Sequence, residues 1–218
     1  MNKRWLLWGG LAAVVVLTVL IVIQFTSDEE TRPAQQQASV SDEAQQILEI
    51  RSDDWVKGNP DADVVIVKYS DFQCPACRQA AQLDAQVEEE LADDVAFVYR
   101  HFPLQNFEHS RRAAQYAEAA GQQGEFWRMH NLIFINQQRW SRGDAEDIFR
   151  DLAESMELDL QQFEQDLQSD ETEQRINEHY SSGQQLGVQS VPTIFINGEQ
   201  IQLPRSSGEY VELIESYL

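Results

Sequence analysis

The sequence predicts an α/β domain in which a sheet is interrupted by a block of helices. Three observations carry this reading. Val64-Val65-Ile66-Val67, Val95 to Tyr99 and Thr193 to Ile196 are β-branched and aromatic runs of strand length, too short for helices. Between the second and third runs, apolar residues recur at helical spacing. Asn197-Gly198 ahead of Ile201 is a hairpin signal that gives the third run a partner.

At the N-terminus, Lys3 and Arg4 precede Trp5 to Ile23, nineteen residues without a charge. As a helix this run would span roughly 28 Å, close to the ~30 Å hydrocarbon core of a bilayer. Asp28, Glu29 and Glu30 follow it. The positive-inside rule then puts the N-terminus in the cytoplasm and the rest outside. Residues 1–25 are therefore read as a transmembrane signal-anchor of a single-pass cell-membrane protein. The competing reading, a cleaved signal peptide, expects a shorter apolar region and a small-x-small cleavage site, which Ile21 to Thr26 does not offer. Residues 26–46, rich in Gln, Ser, Asp, Glu and Ala, read as a flexible linker, because they cannot bury enough surface to order themselves. The folded domain is expected over 47–218.

Within that domain, residues 78–91 carry Ala80, Ala81, Leu83, Val87 and Leu91 among polar residues and read as a helix between the first two strands. Ala113, Ala114, Ala117 and Ala120 line another, which Gly121 is placed to end. Phe126, Trp127, Met129 and His130 sit at helical spacing and pack the helical block, while His101 and Pro103 read as structural. Asp144 caps a helix bearing Ile148, Phe149, Leu152 and Met156, and Asp159 caps one bearing Phe163 and Leu167. Residues 208–218 close the chain as an amphipathic helix.

With 218 residues and 42% hydrophobic content the chain can build a packed core. Its 37 acidic residues against 16 basic ones give a net charge of −21, which repels nucleic-acid phosphate and excludes DNA or RNA as a partner. The two cysteines, Cys74 and Cys77, are three positions apart. A disulfide-stapled secreted scaffold would spread more of them along the chain, so their chemistry is local.

Two thiols at this spacing, after a strand and at a helix start, meet unpaired N–H groups and the positive end of the helix dipole. Cys74, the outer one, is then the low-pKa nucleophile. Pro75 suits the first helical turn, and Cys77, one turn further in, can resolve a mixed disulfide by attacking Cys74. A structural zinc site would need four ligands, and His101, His109, His130 and His179 show no tight spacing that would complete one. A purely structural disulfide would close only a tiny loop.

The segment from Tyr69 to Cys77, Tyr-Ser-Asp-Phe-Gln-Cys-Pro-Ala-Cys, resembles the active-site segment of the DsbA family of thioredoxin-fold thiol–disulfide oxidoreductases. Arg100 to Leu104, Phe126 to His130 and Gly187 to Gly198 match further family segments in order. The likeness runs from about Asp53 to the C-terminus. It implies a thioredoxin fold with a helical insertion at about 106–170, dithiol–disulfide exchange with unfolded or folding proteins that carry cysteines, and no organic cofactor. It also implies that Pro192 is cis and faces the cysteine pair, leaving Val191 to pair with an extended substrate strand; an ordinary loop proline is the plainer reading. A quinone-linked membrane reoxidase is the implied partner, and a monomer is expected.

Two positions depart from the family pattern. Ala76 stands where strongly oxidising members often carry a histidine. Lys68 stands six residues before Cys74, where many members have a carboxylate. Either Lys68 points toward the site and stabilises the Cys74 thiolate, or it points to solvent as an ordinary surface lysine. The expected function is an extracytoplasmic oxidant that introduces disulfides into secreted or surface proteins. A reductase or isomerase, and a tethered peptide-binding chaperone module, are the rivals. If residues 1–25 remain attached, mass spectrometry of the membrane-extracted protein recovers the N-terminal peptide; a mature chain beginning after residue 25 overturns the anchor.

Overall fold

The structure, a computed structural model, describes residues 42–218. The expected anchor and all but the end of the expected linker lie outside these residues. Among the described residues, no helix is long and apolar enough to cross a membrane. The first element, α1, covers Asp42–Leu48, so the last residues of the expected linker are helical, and Leu48 is buried.

Five strands form one sheet in the order β1-β3-β2-β4-β5: β1 (Trp55–Gly58), β2 (Val64–Ser70), β3 (Val95–His101), β4 (Thr193–Ile196) and β5 (Glu199–Ile201). The central pair, β2 and β3, is parallel, joined by the crossover helix α2 (Pro75–Leu91). The other pairings are antiparallel. The hairpin expected at Asn197-Gly198 is present. Both residues take positive φ, 47° and 87°, as a tight two-residue turn requires. Asn197 also anchors the turn to β2, accepting from the Val65 N–H and donating to the Asp63 carbonyl.

Strand alternation decides what each face carries. Val64 and Ile66 of β2, with Val95 and Phe97 of β3, pack against Leu83, Val87 and Leu91 of α2 and against Tyr210 and Ile214 of the last helix, α9 (Ser207–Glu215). Val67, Tyr69 and Val98 line the opposite face with Leu48 and Phe102. Lys68 and Ser70 therefore belong to the face that looks at α2.

Between β3 and β4 run α3 (Ser110–Gly121), α4 (Phe126–Ile135), α5 (Gln137–Trp140), α6 (Ala145–Glu154), α7 (Leu160–Leu167) and α8 (Asp170–Gln185). Asp144 and Asp159 accept from backbone N–H groups at the starts of α6 and α7, the capping their positions predict. The core of this block gathers Phe126, Met129, Phe134, Trp140, Phe149 and Phe163, and it reaches Phe72 and Tyr99. Gly121 is the last residue of α3 but not a left-handed stop; that conformation falls to Gly124, φ 80°. What Gly121 supplies is space, since a Cβ there would lie 2.3 Å from the Trp55 ring, which stacks on Phe126.

Behind the sheet sits a buried ionic group. Arg100 grips Asp54 through two parallel hydrogen bonds of 2.9 and 2.7 Å, and both side chains are fully buried. The same guanidinium donates to the carbonyls of Ile47 and Glu49, tying the C-terminal end of α1 to the sheet. Burial by itself would push the Asp54 carboxyl up, but His179, Arg100 and the Arg51 N–H hold it well below the usual carboxylate range. A depressed carboxylate contributes stability that is present above its unfolded pKa of ~4 and lost as pH falls through the folded value. Arg100→Met leaves Asp54 buried without its cation and is expected to cost about 3–5 kcal/mol. Thermal melts of Arg100→Met, Asp54→Asn and the double variant check this, the double costing less than the sum of the singles.

Candidate active site

Cys74 is the N-cap residue of α2, with extended backbone (φ −74°, ψ 124°), and no side chain caps the helix there. The first N–H groups of α2 are thus left to the Cys74 sulfur. Both thiols are free. Cys74 is 7% exposed and Cys77 is fully buried, so the expectation of an open outer thiol holds only in relative terms. Pro75 and Ala76 are exposed.

The two sulfurs have opposite electrostatics. The Cys77 thiol donates toward Cys74, and with the backbone N–H groups of Cys77 and Ala76 it brings Cys74 down to about 6, against burial and the nearby Asp71. Cys77 is pushed well above the ordinary thiol value, first by burial and then by Cys74, with Ser70 and the Asp71 N–H opposing. The pair is poised as one thiolate and one thiol, the arrangement a nucleophile and a resolving group need.

The end of β4 faces this pair. In the β2–β4 register Tyr69 is opposite Thr193, so the residues just before Thr193 fall beside the loop that follows Ser70. The Val191–Pro192 peptide is cis. The Cys74 sulfur lies 3.5 Å from the Val191 carbonyl, to which its protonated form can donate.

Three polar side chains hold the loop carrying Cys74. Asp71 accepts from the N–H of Gln73 at 2.7 Å, the N–H of Leu104 at 2.7 Å and the Ser110 hydroxyl at 2.5 Å. Gln137, from α5, donates to the carbonyls of Phe72 and Cys74 at 2.7 and 2.8 Å. Gln73 accepts from the His109 N–H at 2.7 Å. The active loop is thus fastened to the helical block at both of its ends.

Residues 51–216 match the family model described as Thioredoxin. The chain belongs to the thioredoxin family. Solved structures similar to it include a thioredoxin-like oxidoreductase from Silicibacter pomeroyi DSS-3, 24% identical, covering 78% of this chain and 95% of that one with a TM-score of 0.65. Alpha-DsbA1 of Wolbachia pipientis is 17% identical, with 80% and 95% covered and a TM-score of 0.70. BdbD of Bacillus subtilis is 24% identical, with 74% and 91% covered and a TM-score of 0.63. At these identities the likeness establishes the fold. Curated relatives include the Na(+)/H(+) antiporter NhaA 1 of Mycolicibacterium gilvum, 32% identical over 169 residues, which are 75% of this chain and 26% of that protein. The chain thus spans about a quarter of the length of such relatives, and their transport activity is not carried over.

In this thioredoxin-family domain the sequence-selected residues Cys74, Pro75, Ala76, Cys77, Val191 and Pro192 come together. Lys68 answers neither of its two expected descriptions. It is 5% exposed, and it pairs with Asp84 of α2 instead of reaching Cys74 or solvent. Burial pushes its ammonium down to about 8, with the Cys77 sulfur opposing and Lys57 assisting. Strand alternation explains the outcome: Lys68 shares the α2-facing side of β2 with Val64 and Ile66.

Asp71, Asp84, Ser110 and Gln137 carried no role in the sequence reading. Asp84 had a detectable signal, since Cys77, Ala81, Asp84 and Glu88 follow helical spacing on one stripe of α2. Gln137 had none, because its partners are backbone carbonyls far away in sequence. His101 and His179, distant in sequence, stack with ring centroids 5.6 Å apart and lie with Glu118 in a buried group. Glu118 accepts from Trp55 at 2.8 Å and has the Arg175 guanidinium at 3.3 Å, and His179 Nδ1 accepts from the His101 N–H. A guanidinium already neutralises that carboxylate, and His179 is left to present its protonated nitrogen. These are the marks of a structural ion group and a poor cradle for a metal.

Alkylation of the reduced protein by iodoacetamide should fall on Cys74, with a rate that rises through a midpoint near pH 6. Labelling of Cys77, or a midpoint at or above the ~8.5 of an ordinary thiol, would show that the two thiols are not differentiated in this way.

Proposed function

We propose that this domain is a thiol–disulfide oxidoreductase of the DsbA type, with Cys74 as the exchanging sulfur, Cys77 as the resolving one and Val191-Pro192 as the substrate-docking edge. The observation that carries the reading is a pair of free thiols at the start of α2, the first of them 3.5 Å from the carbonyl of a cis Val191–Pro192 peptide. Substrates are unfolded or folding proteins with cysteines. An extended chain can hydrogen-bond to the backbone of Val191 while its sulfur meets Cys74.

The favoured direction is oxidation outside the cytoplasm. A stabilised Cys74 thiolate favours the dithiol over the disulfide and so makes the disulfide an oxidant. A Cys74 value of about 6 lies between the ~7 of thioredoxin and the ~3.5 of DsbA. Ala76 offers neither charge nor hydrogen bond to lower it further. The charge-free run from Trp5 to Ile23 supports a membrane tether, and tethering beside a quinone-linked reoxidase would raise their effective concentration. The domain works as a monomer in this reading.

Redox titration against glutathione is expected to give a potential more oxidising than about −200 mV. A value near −270 mV would make the protein a reductase and overturn the oxidant assignment. Cys74→Ala should abolish exchange with a scrambled or reduced protein substrate. Retention of full function by that variant would favour a peptide-binding chaperone module.

A further inference from the structure

Between α2 and the end of α4 lies an open groove of ≈ 540 Å³. Ala81 and Ala85 of α2 form one wall, and Phe134 and Ile135 of α4 form the other. The groove adjoins the active site at two points. Phe134 packs on Phe72, two residues before Cys74, with ring centroids 4.9 Å apart. Ile135 is two residues before Gln137, whose amide holds the Cys74 carbonyl. Ile135 is 75% exposed, so covering it with an apolar side chain is favourable.

Charge gives the groove a direction. Arg78, next in sequence to Cys77, stands at the end nearer the cysteines, and Glu89 stands at the other end. Eleven residues of helix separate them, roughly 16 Å, which about five extended residues span. Gln82 and Gln86 between them are exposed and uncharged. Lys57, Arg111 and Arg112 already pair with Glu88, Glu173 and Glu146. Among the described residues the Arg78 side chain has no such partner, and its Nε is shielded from water without an acceptor. Buried donors seldom stay unpaired. A carboxylate entering the groove supplies the acceptor, in the two-bond geometry that a guanidinium favours. The chain as a whole, at −21, repels acidic groups, so Arg78 is a local attraction beside the reactive sulfur.

We propose that this groove is a substrate subsite for an extended segment next to the substrate cysteine, with an acidic side chain on Arg78 and an apolar one against Ile135. This rests on the dithiol-exchange reading and deepens it by naming the substrate class, cysteines flanked by acidic and apolar residues. The sheet order puts the two halves of such a substrate on opposite sides of Cys74. β4, with Val191 just before it, flanks β2 on one side. α4 lies toward β1 on the other, where Trp127 donates to the Val56 carbonyl. A chain pinned at Val191 can therefore cross Cys74 and continue down the groove. Glu89 repels an acid at the far end, so the acidic residue belongs close to the cysteine. Arg78 and Ile135 touch the substrate and not the reacting sulfurs, which makes them specificity-determining residues.

The full chain with Cys77→Ser keeps its partner on Cys74 as a mixed disulfide, which allows the preference to be weighed. It is equilibrated with single-cysteine peptides carried as glutathione disulfides. The Cys74 thiolate attacks the peptide sulfur, the Cys74–peptide bond forms, and glutathione leaves with the electron pair of the broken bond. Captured peptides are counted by mass spectrometry and scaled to the same peptides' disulfides with glutathione. One series places Asp-Leu, Lys-Leu, Asp-Gly or Gly-Gly after the cysteine, and a second places them before it. In one of the two series Asp-Leu is expected to exceed Lys-Leu by about fivefold, the upper range for an exposed ion pair. Arg78→Glu is expected to reverse that order, and about 1 M salt to erase it. Ile135→Ser is expected to bring Asp-Leu down to the level of Asp-Gly. Equal capture of Asp-Leu and Lys-Leu in both series, or a preference that survives Arg78→Glu, overturns the subsite. A dimer of the chain that Ile135→Ser dissolves overturns it too, by giving the groove to a second copy. If no peptide is captured, Gly-Gly included, the exchange reading falls, and the subsite with it.

Discussion

The register of β2 is the constraint on which the rest of this site depends. β2 is the one strand bonded to both β3 and β4, and at its C-terminal end one chain of the site leaves it while the other enters β4 beside it. The loop after Ser70 carries Cys74. The pairing of Tyr69 with Thr193 fixes how far the Val191–Pro192 edge stands from it. A one-residue slip would exchange the two faces of the strand. Lys68 and Ser70 would then move away from α2 into the apolar face around Phe102 and Val188, while Val67 and Tyr69 would turn toward α2. Such a slip strands the buried Lys68 ammonium and the Tyr69 and Ser70 hydroxyls at once, so the polar residues of β2 help to specify its register.

A second constraint is charge balance in the interior. The surface bears the large net negative charge, yet the fully buried carboxylates Asp54 and Glu118 are met by Arg100 and Arg175. Buried ion pairs contribute little net stability but penalise any arrangement that leaves one partner alone. Arg100 also binds the carbonyls of Ile47 and Glu49, so the same pair determines where the chain enters the domain. Lys68 and Asp84 repeat the device under the active site, where their neighbours are titratable and not inert.

Much of this was legible because it is local. Strand runs, the Asn197-Gly198 turn, the Asp144 and Asp159 caps and the cysteine pair each depend on a few consecutive residues. What was missed depends on contacts across the chain. Gly121 looked like a helix stop, but its smallness answers to Trp55, sixty-six residues earlier. β1 is a four-residue edge strand whose sequence, Trp-Val-Lys-Gly, has no pattern of its own and is defined by its partner β3. The orientation of Lys68 could have been read, since period-two alternation from Val64 puts it on the same side as Ile66. Strand alternation was the stronger argument there than analogy with an exposed lysine.

The helical block is part of the chemistry and more than a lid. A thiolate at a helix start is stabilised only if the N–H groups of the first turn stay aimed at the sulfur, and a free loop would let them turn toward water. Gln137 removes that freedom by spending both amide hydrogens on the carbonyls of Phe72 and Cys74, while Asp71 holds Gln73, Leu104 and Ser110. The donors are fixed before any substrate arrives, so no reorganisation opposes charge on Cys74. Because these fasteners come from α3 and α5, the nucleophile of the sheet domain is set by the packing of the helices that interrupt it.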